Sequence, residues 1–189
     1  MTLKFLIIGF GSIGKRYLQA IEATKIKCEI FIYDIDKSKY ESKNKKYNIF
    51  YLKNLNQLKN KIDFCFFSSN SNQRFETIQN TFQYVRPKYI IIEKIISQSA
   101  KDLNKIYNLF KKYKMLGKVW VNTHYRTYKI FEKTINLEIK RNLHSIEVKG
   151  TNWGLICNSI HYIDLYSYIL NTKIKKIDTR NLKKKMGKS

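Results

Sequence analysis

Apolar positions in the first half of this chain fall into short unbroken runs, separated by longer stretches in which they recur every three or four residues. Leu3 to Ile8 is such a run, and so are Cys28 to Tyr33, Ile49 to Leu52, Phe64 to Ser68, Tyr89 to Ile92 and Val119 to Asn122. Each has the length of a strand. The almost wholly apolar ones, Phe64-Cys65-Phe66-Phe67 and Ile90-Ile91-Ile92, suit strands buried on both faces. Between the runs the period becomes helical. Ile13 to Thr24 places Tyr17, Leu18 and Ile21 on one side, and Leu55 to Lys61 and Arg74 to Tyr84 follow. Ser97 to Lys114 carries Leu103, Ile106, Tyr107, Phe110 and Tyr113 behind a Ser97 or Ser99 cap. Strands alternating with helices predict an α/β fold over residues 1–122, a parallel sheet covered on both faces. Residues 123–189 read differently: strands at Leu137 to Ile139 and Ile146 to Gly150, then a helix at 160–170 with Leu165, Tyr168 and Ile169 as its apolar stripe.

The first strand breaks into Gly9-Phe10-Gly11-Ser12-Ile13-Gly14, a G-x-G-x-x-G turn. Gly9 permits the turn, Gly11 leaves bare backbone for a pyrophosphate, and Gly14 lets the helix pack against the strand. The N–H groups of Ser12 and Ile13 open the helix, where the dipole favours an anion. Asp34 ends the second strand twenty positions after Gly14, the place from which a carboxylate accepts the ribose hydroxyls of a dinucleotide and repels a 2′-phosphate. Ile35 rather than an arginine follows it, so NAD(H) is favoured over NADP(H), with Lys37 and Lys39 near enough to serve the latter.

Composition changes this picture little. The 189 residues are 43% hydrophobic and 14% aromatic, enough for a buried core, which excludes a disordered chain. A formal charge of +23 would suit a polyanionic partner, but it is mostly lysine spread through every segment, and its one dense cluster, Lys183 to Lys185, lies in the terminal tail. No nucleic-acid-binding motif accompanies it, so no specific nucleic acid is expected. Three cysteines, Cys28, Cys65 and Cys157, lack metal spacing and read as buried reduced thiols. No apolar run has the length of a membrane span, and no cleavage site follows the N-terminal run, so neither membrane nor metal is expected and the location expected is cytoplasmic.

In open α/β sheets ligands gather at the carboxyl ends of the strands. Those ends are Gly9 to Gly14, Asp34, Ser68 to Asn72 (with Ser68, Ser69 and Asn70 nearest the turn), Glu93-Lys94 and Asn122 to Arg126. The second half adds Cys157-Asn158-Ser159-Ile160-His161-Tyr162-Ile163-Asp164, with His161 and Asp164 one turn apart on a helix. A histidine titrates near neutrality and is suited to moving a proton.

Over residues 3–170 these motifs together resemble the glucose-fructose oxidoreductase, inositol dehydrogenase and rhizopine-catabolism family, Gfo/Idh/MocA. Glu93-Lys94-Ile95 matches the family's E-K-P at the fifth strand, Arg126 its arginine after the sixth, and Cys157 to Asp164 its D-x-G-x-H-x-x-D helix start. The resemblance implies a doubly wound Rossmann sheet followed by an α+β domain with a large, mostly antiparallel sheet that shapes the substrate pocket and mediates oligomerisation. It implies an NAD(P)-dependent hydride transfer at a hydroxyl or carbonyl of a sugar-like small molecule. The catalytic pair it implies is Lys94 and His161, with Gly9, Gly11, Ser12, Ile13, Gly14, Asp34, Ser68, Ser69, Asn70, Glu93 and Lys94 toward the cofactor and Lys94, Arg126, Asn158 and His161 toward the substrate. Ile95 replaces the family's proline and Cys157 its aspartate. Family members continue beyond the point where this chain ends, so the expectation is a truncated second domain, with homo-oligomers only if the remaining sheet is supplied. The leading expectation is an oxidoreductase acting on a sugar, with surface-glycan synthesis as the pathway it suggests. The alternative is a catalytically inactive nucleotide-binding fragment, and a polyanion-binding protein ranks third.

Overall fold

A computed structural model describes residues 2–40, 48–58, 61–134, 143–151 and 154–180. Two compact units divide at Asn122. In the first, β1 (Leu3–Ile8), β2 (Cys28–Tyr33), β3 (Asn48–Tyr51), β4 (Phe64–Phe67), β5 (Tyr89–Glu93) and β6 (Val119–Asn122) form one parallel sheet in the order β3-β2-β1-β4-β5-β6. This is the doubly wound order in which the chain reverses direction between β1 and β4, and a crevice opens at the carboxyl ends there. The helices are α1 (Ser12–Ala23), α2 (Arg74–Tyr84) and α3 (Ala100–Lys112).

The period-2 alternation of the strands sorts their side chains onto two faces. Phe5 and Ile7 of β1, Ile30 and Ile32 of β2 and Phe66 of β4 pack with Leu18 and Ile21 of α1. Leu6, Ile8, Phe31, Cys65, Phe67, Ile90 and Ile92 face the other way, onto Ile78 and Phe82 of α2 and Ile106 and Phe110 of α3. Both faces are therefore buried, which is why β1, β4 and β5 read as continuous apolar runs rather than alternating ones.

Expectations for three elements need correction. The helix expected over Leu55 to Lys61 is a single 3₁₀ turn, Leu55–Gln57: the Gln57 side-chain oxygen accepts the backbone N–H groups of Lys53 (2.7 Å) and Asn54 (3.1 Å), but Leu58 takes extended backbone and ends the turn, while residues 59–60 lie outside the described residues. The third helix starts at Ala100, because Ser97 bonds the Ser99 N–H while the Ser99 hydroxyl caps Asp102, and these contacts hold 97–99 outside the helix. Ile146 to Gly150 lies in the second unit and is not a strand. An alternating pattern supports extended backbone, but a strand needs a ladder partner, and none is found for it among the described residues. The other expected strand, Leu137 to Ile139, lies outside the described residues.

The described part of the second unit includes a 3₁₀ turn at His124–Thr127, α4 (Lys129–Thr134), a segment without regular structure over 143–151, and α5 (Leu155–Leu170), flanked by Gly154 and Asn171, both with positive φ. Among the described residues no helix is long and apolar enough to cross a membrane. Cys28 and Cys65 are buried as expected, but Cys157, in the first turn of α5, is exposed. The apolar sequence around it follows a helical rather than a strand period, and residue 157 falls on the outer side.

Candidate dinucleotide site

The glycine turn is shaped by close approach of backbone to backbone. Gly9 has φ +90°, and a Cβ there would stand 2.6 Å from the Ser69 nitrogen. At Gly14 a Cβ would meet the Gly9 carbonyl oxygen at 2.1 Å. These two positions accept only glycine, since the opposing atoms are main chain. Gly11 differs: no protein atom lies within 4 Å of a Cβ built on it, and it borders a cavity of about 170 Å³ at the carboxyl ends of β1, β2 and β4. Gly9, Asp34, Lys39, Ser68, Ser69 and Asn70 line the same cavity. A second cavity of about 310 Å³ shares Tyr33, Ile35, Gln73 and Thr77 with it. Helix α1 starts at Gly11 with no side-chain cap and no acidic residue in its first turn, so the N–H groups of Ser12 and Ile13 are not capped by a side chain.

Each strand end contributes differently. The Ser68 hydroxyl donates to the Gly9 carbonyl at 2.6 Å, so Ser68 braces the turn. Ser69 keeps its hydroxyl buried at the cavity without a hydrogen-bond partner among the described residues, while Asn70 is exposed. Asp34 is 5% exposed, and its carboxylate is already in use: Oδ2 accepts the Phe10 N–H at 2.6 Å, and Oδ1 accepts the Asp36 N–H at 2.8 Å and the Lys39 ammonium at 3.1 Å. Burial pushes its pKa up, yet the two backbone donors and Lys39 outweigh burial and hold it below the usual carboxylate range.

Glu93 is buried at the end of β5. Its carboxylate accepts the Tyr17 hydroxyl of α1 and the Asn122 amide of β6, the latter at 2.6 Å, while Asn122 also donates to the Tyr17 oxygen at 3.0 Å. Burial first, and then the bond to Glu93, push the Tyr17 phenol well above its ordinary range. Arg74, at the start of α2 and 2% exposed, donates to the Glu93 carbonyl at 2.8 Å and to the Ser69 carbonyl, tying the ends of β4 and β5 together. Burial lowers its pKa to about 10, against the pull of Glu93. Lys94 follows, half-buried, joined to Ile95 by a cis peptide bond. Tyr17 and Arg74 were not singled out from the sequence as site residues, Lys39 was noted only as a cation near enough to serve NADP(H), and Asn122 only as a strand end. A tyrosine three residues past the last glycine carries no signal until β5 and β6 are brought against α1.

The second unit carries the remaining expected residues. The His161 ring is 3% exposed, stacked on Tyr125 with centroids 4.6 Å apart and 18° between planes, and met edge-on by His124, also at 4.6 Å. Arg126 forms a two-pronged ion pair with Asp164: Nε reaches Oδ2 at 2.7 Å, and a terminal nitrogen reaches Oδ1. That pair raises the Arg126 pKa. Asp164 is thus committed to Arg126, and Arg126 is 41% exposed beside the Tyr168 ring. Asn158 is half-buried one turn before His161. Among the described residues no three His, Cys, Asp or Glu side chains cluster as metal ligands.

The site fits a dinucleotide. Gly11 leaves its face open, the first turn of α1 has no side-chain cap, and the buried Ser69 hydroxyl borders the same space. The myo-inositol dehydrogenase of Lactobacillus casei, solved with NAD(H) and myo-inositol, superposes with a TM-score of 0.67 at 17% identity, covering 90% of this chain and 55% of that one. The WlbA dehydrogenase of Bordetella pertussis, solved with NADH and UDP-GlcNAcA, gives 0.64 at 15% identity, covering 89% and 55%. The MviM dehydrogenase of Clostridium difficile gives 0.62 at 21% identity, covering 90% and 58%. At such identities the likeness is one of fold, and the chain spans little more than half the length of these structures. No curated protein matches it. The profile of the oxidoreductase family with an NAD-binding Rossmann fold matches residues 3–123, and the chain belongs to that family, Gfo/Idh/MocA.

Proposed function

We propose that this chain binds a nicotinamide dinucleotide and serves in hydride transfer to or from a sugar or cyclitol carbon. The observation that supports the reading best is the glycine turn itself, with Gly9 and Gly14 sealed by backbone, Gly11 open and Asp34 closing the second strand beside the same cavity. Gly11 and the N–H groups of Ser12 and Ile13 would hold the pyrophosphate, and Asp34, Ile35 and Thr77, which line the same cavity, would border the adenosine end. Bound there, the nicotinamide supplies or takes the hydride. The chain has to orient the substrate and move a proton.

Lys94 takes the first task. Its ammonium donates to the substrate oxygen, and its charge favours the alkoxide character that develops there. Glu93, held by Tyr17 and Asn122 and by Arg74 through its carbonyl, fixes the strand end from which Lys94 projects. His161 takes the proton as general base in oxidation and returns it in reduction, and Tyr125 and His124 hold its ring. Arg126 and Asn158 contact substrate polar groups. The carry-over of these roles rests on the family's motif, and the substrates of the two ligand-bound relatives, myo-inositol and a UDP-sugar acid, define the class to try first.

Two observations favour a second reading, binding without turnover: the His161 ring is almost wholly buried, and Arg126 is already paired with Asp164. Titration of the full chain with NADH, followed by reduction of NAD in the presence of myo-inositol or UDP-GlcNAcA, separates the readings. Turnover that disappears in Lys94→Ala and His161→Ala, with NADH affinity retained, supports the first. NADH binding without turnover on any sugar supports the second, and absence of NADH binding overturns both.

A further inference from the structure

Two lysines follow β2, and the structure gives them different work. The Lys37 ammonium donates to the Asp34 carbonyl at 2.5 Å, the Leu52 carbonyl at 3.2 Å and the Tyr40 hydroxyl at 3.2 Å, with the Tyr33 ring 4.2 Å away. An ammonium has three donors, and all three are engaged, by Asp34, Tyr40 and Leu52. Lys39 is placed otherwise. Its Nζ lies 3.1 Å from Asp34 Oδ1 and 3.8 Å from Asp36 Oδ2, its side chain is 38% exposed, and it borders the cavity that holds Gly9, Gly11 and Asp34.

Asp34 discriminates between coenzymes only to the extent that its charge and lone pairs face the ribose. A carboxylate offers about four acceptor positions. Three are occupied here, by Phe10, Asp36 and Lys39, so one remains for a ribose hydroxyl instead of the two needed to hold both. Its charge is balanced by an ammonium that is the more exposed partner, 38% against 5%. A ribose 2′-phosphate, carrying about −1.5 to −2 charges near neutrality, would meet Lys39 before Asp34.

We propose, resting on the dinucleotide reading above, that the adenosine 2′ subsite accepts a phosphate as well as a hydroxyl, and that Lys39 sets this tolerance. The chain then uses NADP(H) alongside NAD(H). Lys39 holds the phosphate as a point charge, and Asp34 serves mainly as a brace between the glycine turn and β2.

Fluorescence titration of the full chain with NADH and with NADPH tests this. The expected result is two dissociation constants within about tenfold of each other, with the NADPH value the more salt-dependent. Lys39→Ala is expected to weaken NADPH binding by about tenfold or more while leaving NADH unchanged or tighter, and Lys101→Ala, on the exposed side of α3, to change neither. NADH binding with NADPH weaker by more than about a hundredfold overturns the inference and leaves the dinucleotide reading standing. So does an equal loss of both coenzymes in Lys39→Ala. If neither coenzyme binds the unmodified chain, the dinucleotide reading falls and the inference falls with it. Should Lys39→Ala not fold, the ratio of the two constants in the unmodified chain still decides.

Discussion

Tyr17 donates its hydroxyl to the carboxylate of Glu93, a residue 76 positions away, and the Asn122 amide joins the two. Three elements that never meet in sequence, α1, β5 and β6, are tied at the residue immediately before Lys94. The buried carboxylate is satisfied by neutral donors, while Arg74 takes only its main-chain carbonyl. Tyr17→Phe deletes one donor and leaves the other. The expected loss is about 1–2 kcal/mol of unfolding free energy by denaturant titration, since the acceptor stays buried and half-served.

The glycines of the turn separate folding from binding. Gly14→Ala drives a Cβ into the Gly9 carbonyl, and the obstacle is main chain, so destabilisation above about 2 kcal/mol is expected. Gly11→Ala meets no protein atom and has ordinary extended φ, so its melting temperature should stay within about 2 °C of the parent. Its NADH affinity should nevertheless drop by about tenfold or more, because the added methyl occupies the space of the pyrophosphate. Equal NADH affinity in Gly11→Ala and the parent would remove the pyrophosphate from that face.

Asp34 makes acid stability testable. Its folded pKa lies below the unfolded value of about 3.9, so the stability it contributes is fully present above that value and is lost as pH falls through the folded pKa. Melting temperatures measured from pH 7 down to 3 should decline below about pH 4. Asp34→Asn should start lower by about 1–3 kcal/mol at pH 7, having lost its charged hydrogen bonds, and should show a shallower acid decline. Parallel curves for the two proteins would contradict the assignment.

The Arg126–Asp164 pair is half-open to solvent on the Arg126 side, and a double-mutant cycle with Arg126→Ala and Asp164→Ala should return a coupling below about 1 kcal/mol. A coupling of several kcal/mol would mark Asp164 as a fixed anchor and take Arg126 out of contention as a substrate ligand.

Much of this chain is legible from local rules. Unbroken apolar runs and period-3.6 patterns place six strands and three helices of the first unit within a few residues, because a sheet buried on both faces leaves continuous apolar runs in the chain. The turn at Gly9 to Gly14 is equally local, since a positive φ at Gly9 and contact between Gly9 and Gly14 constrain residues only five apart. Ser99 as a cap is a matter of three residues. By contrast, 55–61 reads as a helix on period alone, yet the 3₁₀ turn Leu55–Gln57 ends at Leu58, which takes extended backbone. At Ile146 to Gly150 the alternation is present without a ladder partner among the described residues.

By itself, then, the sequence determined the strand and helix order, the glycine cradle and the acid at the end of β2, all of which follow from backbone sterics and burial over short spans. Only the tertiary structure decided how the charges are spent. It pairs Arg126 with Asp164, commits Lys37 to main-chain carbonyls while leaving Lys39 at the cavity, and surrounds Glu93 with Tyr17 and Asn122. The physical reason is range. Apolar burial is non-directional and leaves a periodic trace in the chain, whereas a hydrogen bond or ion pair depends on which atoms lie within about 3 Å once distant segments have packed, and no local pattern records that.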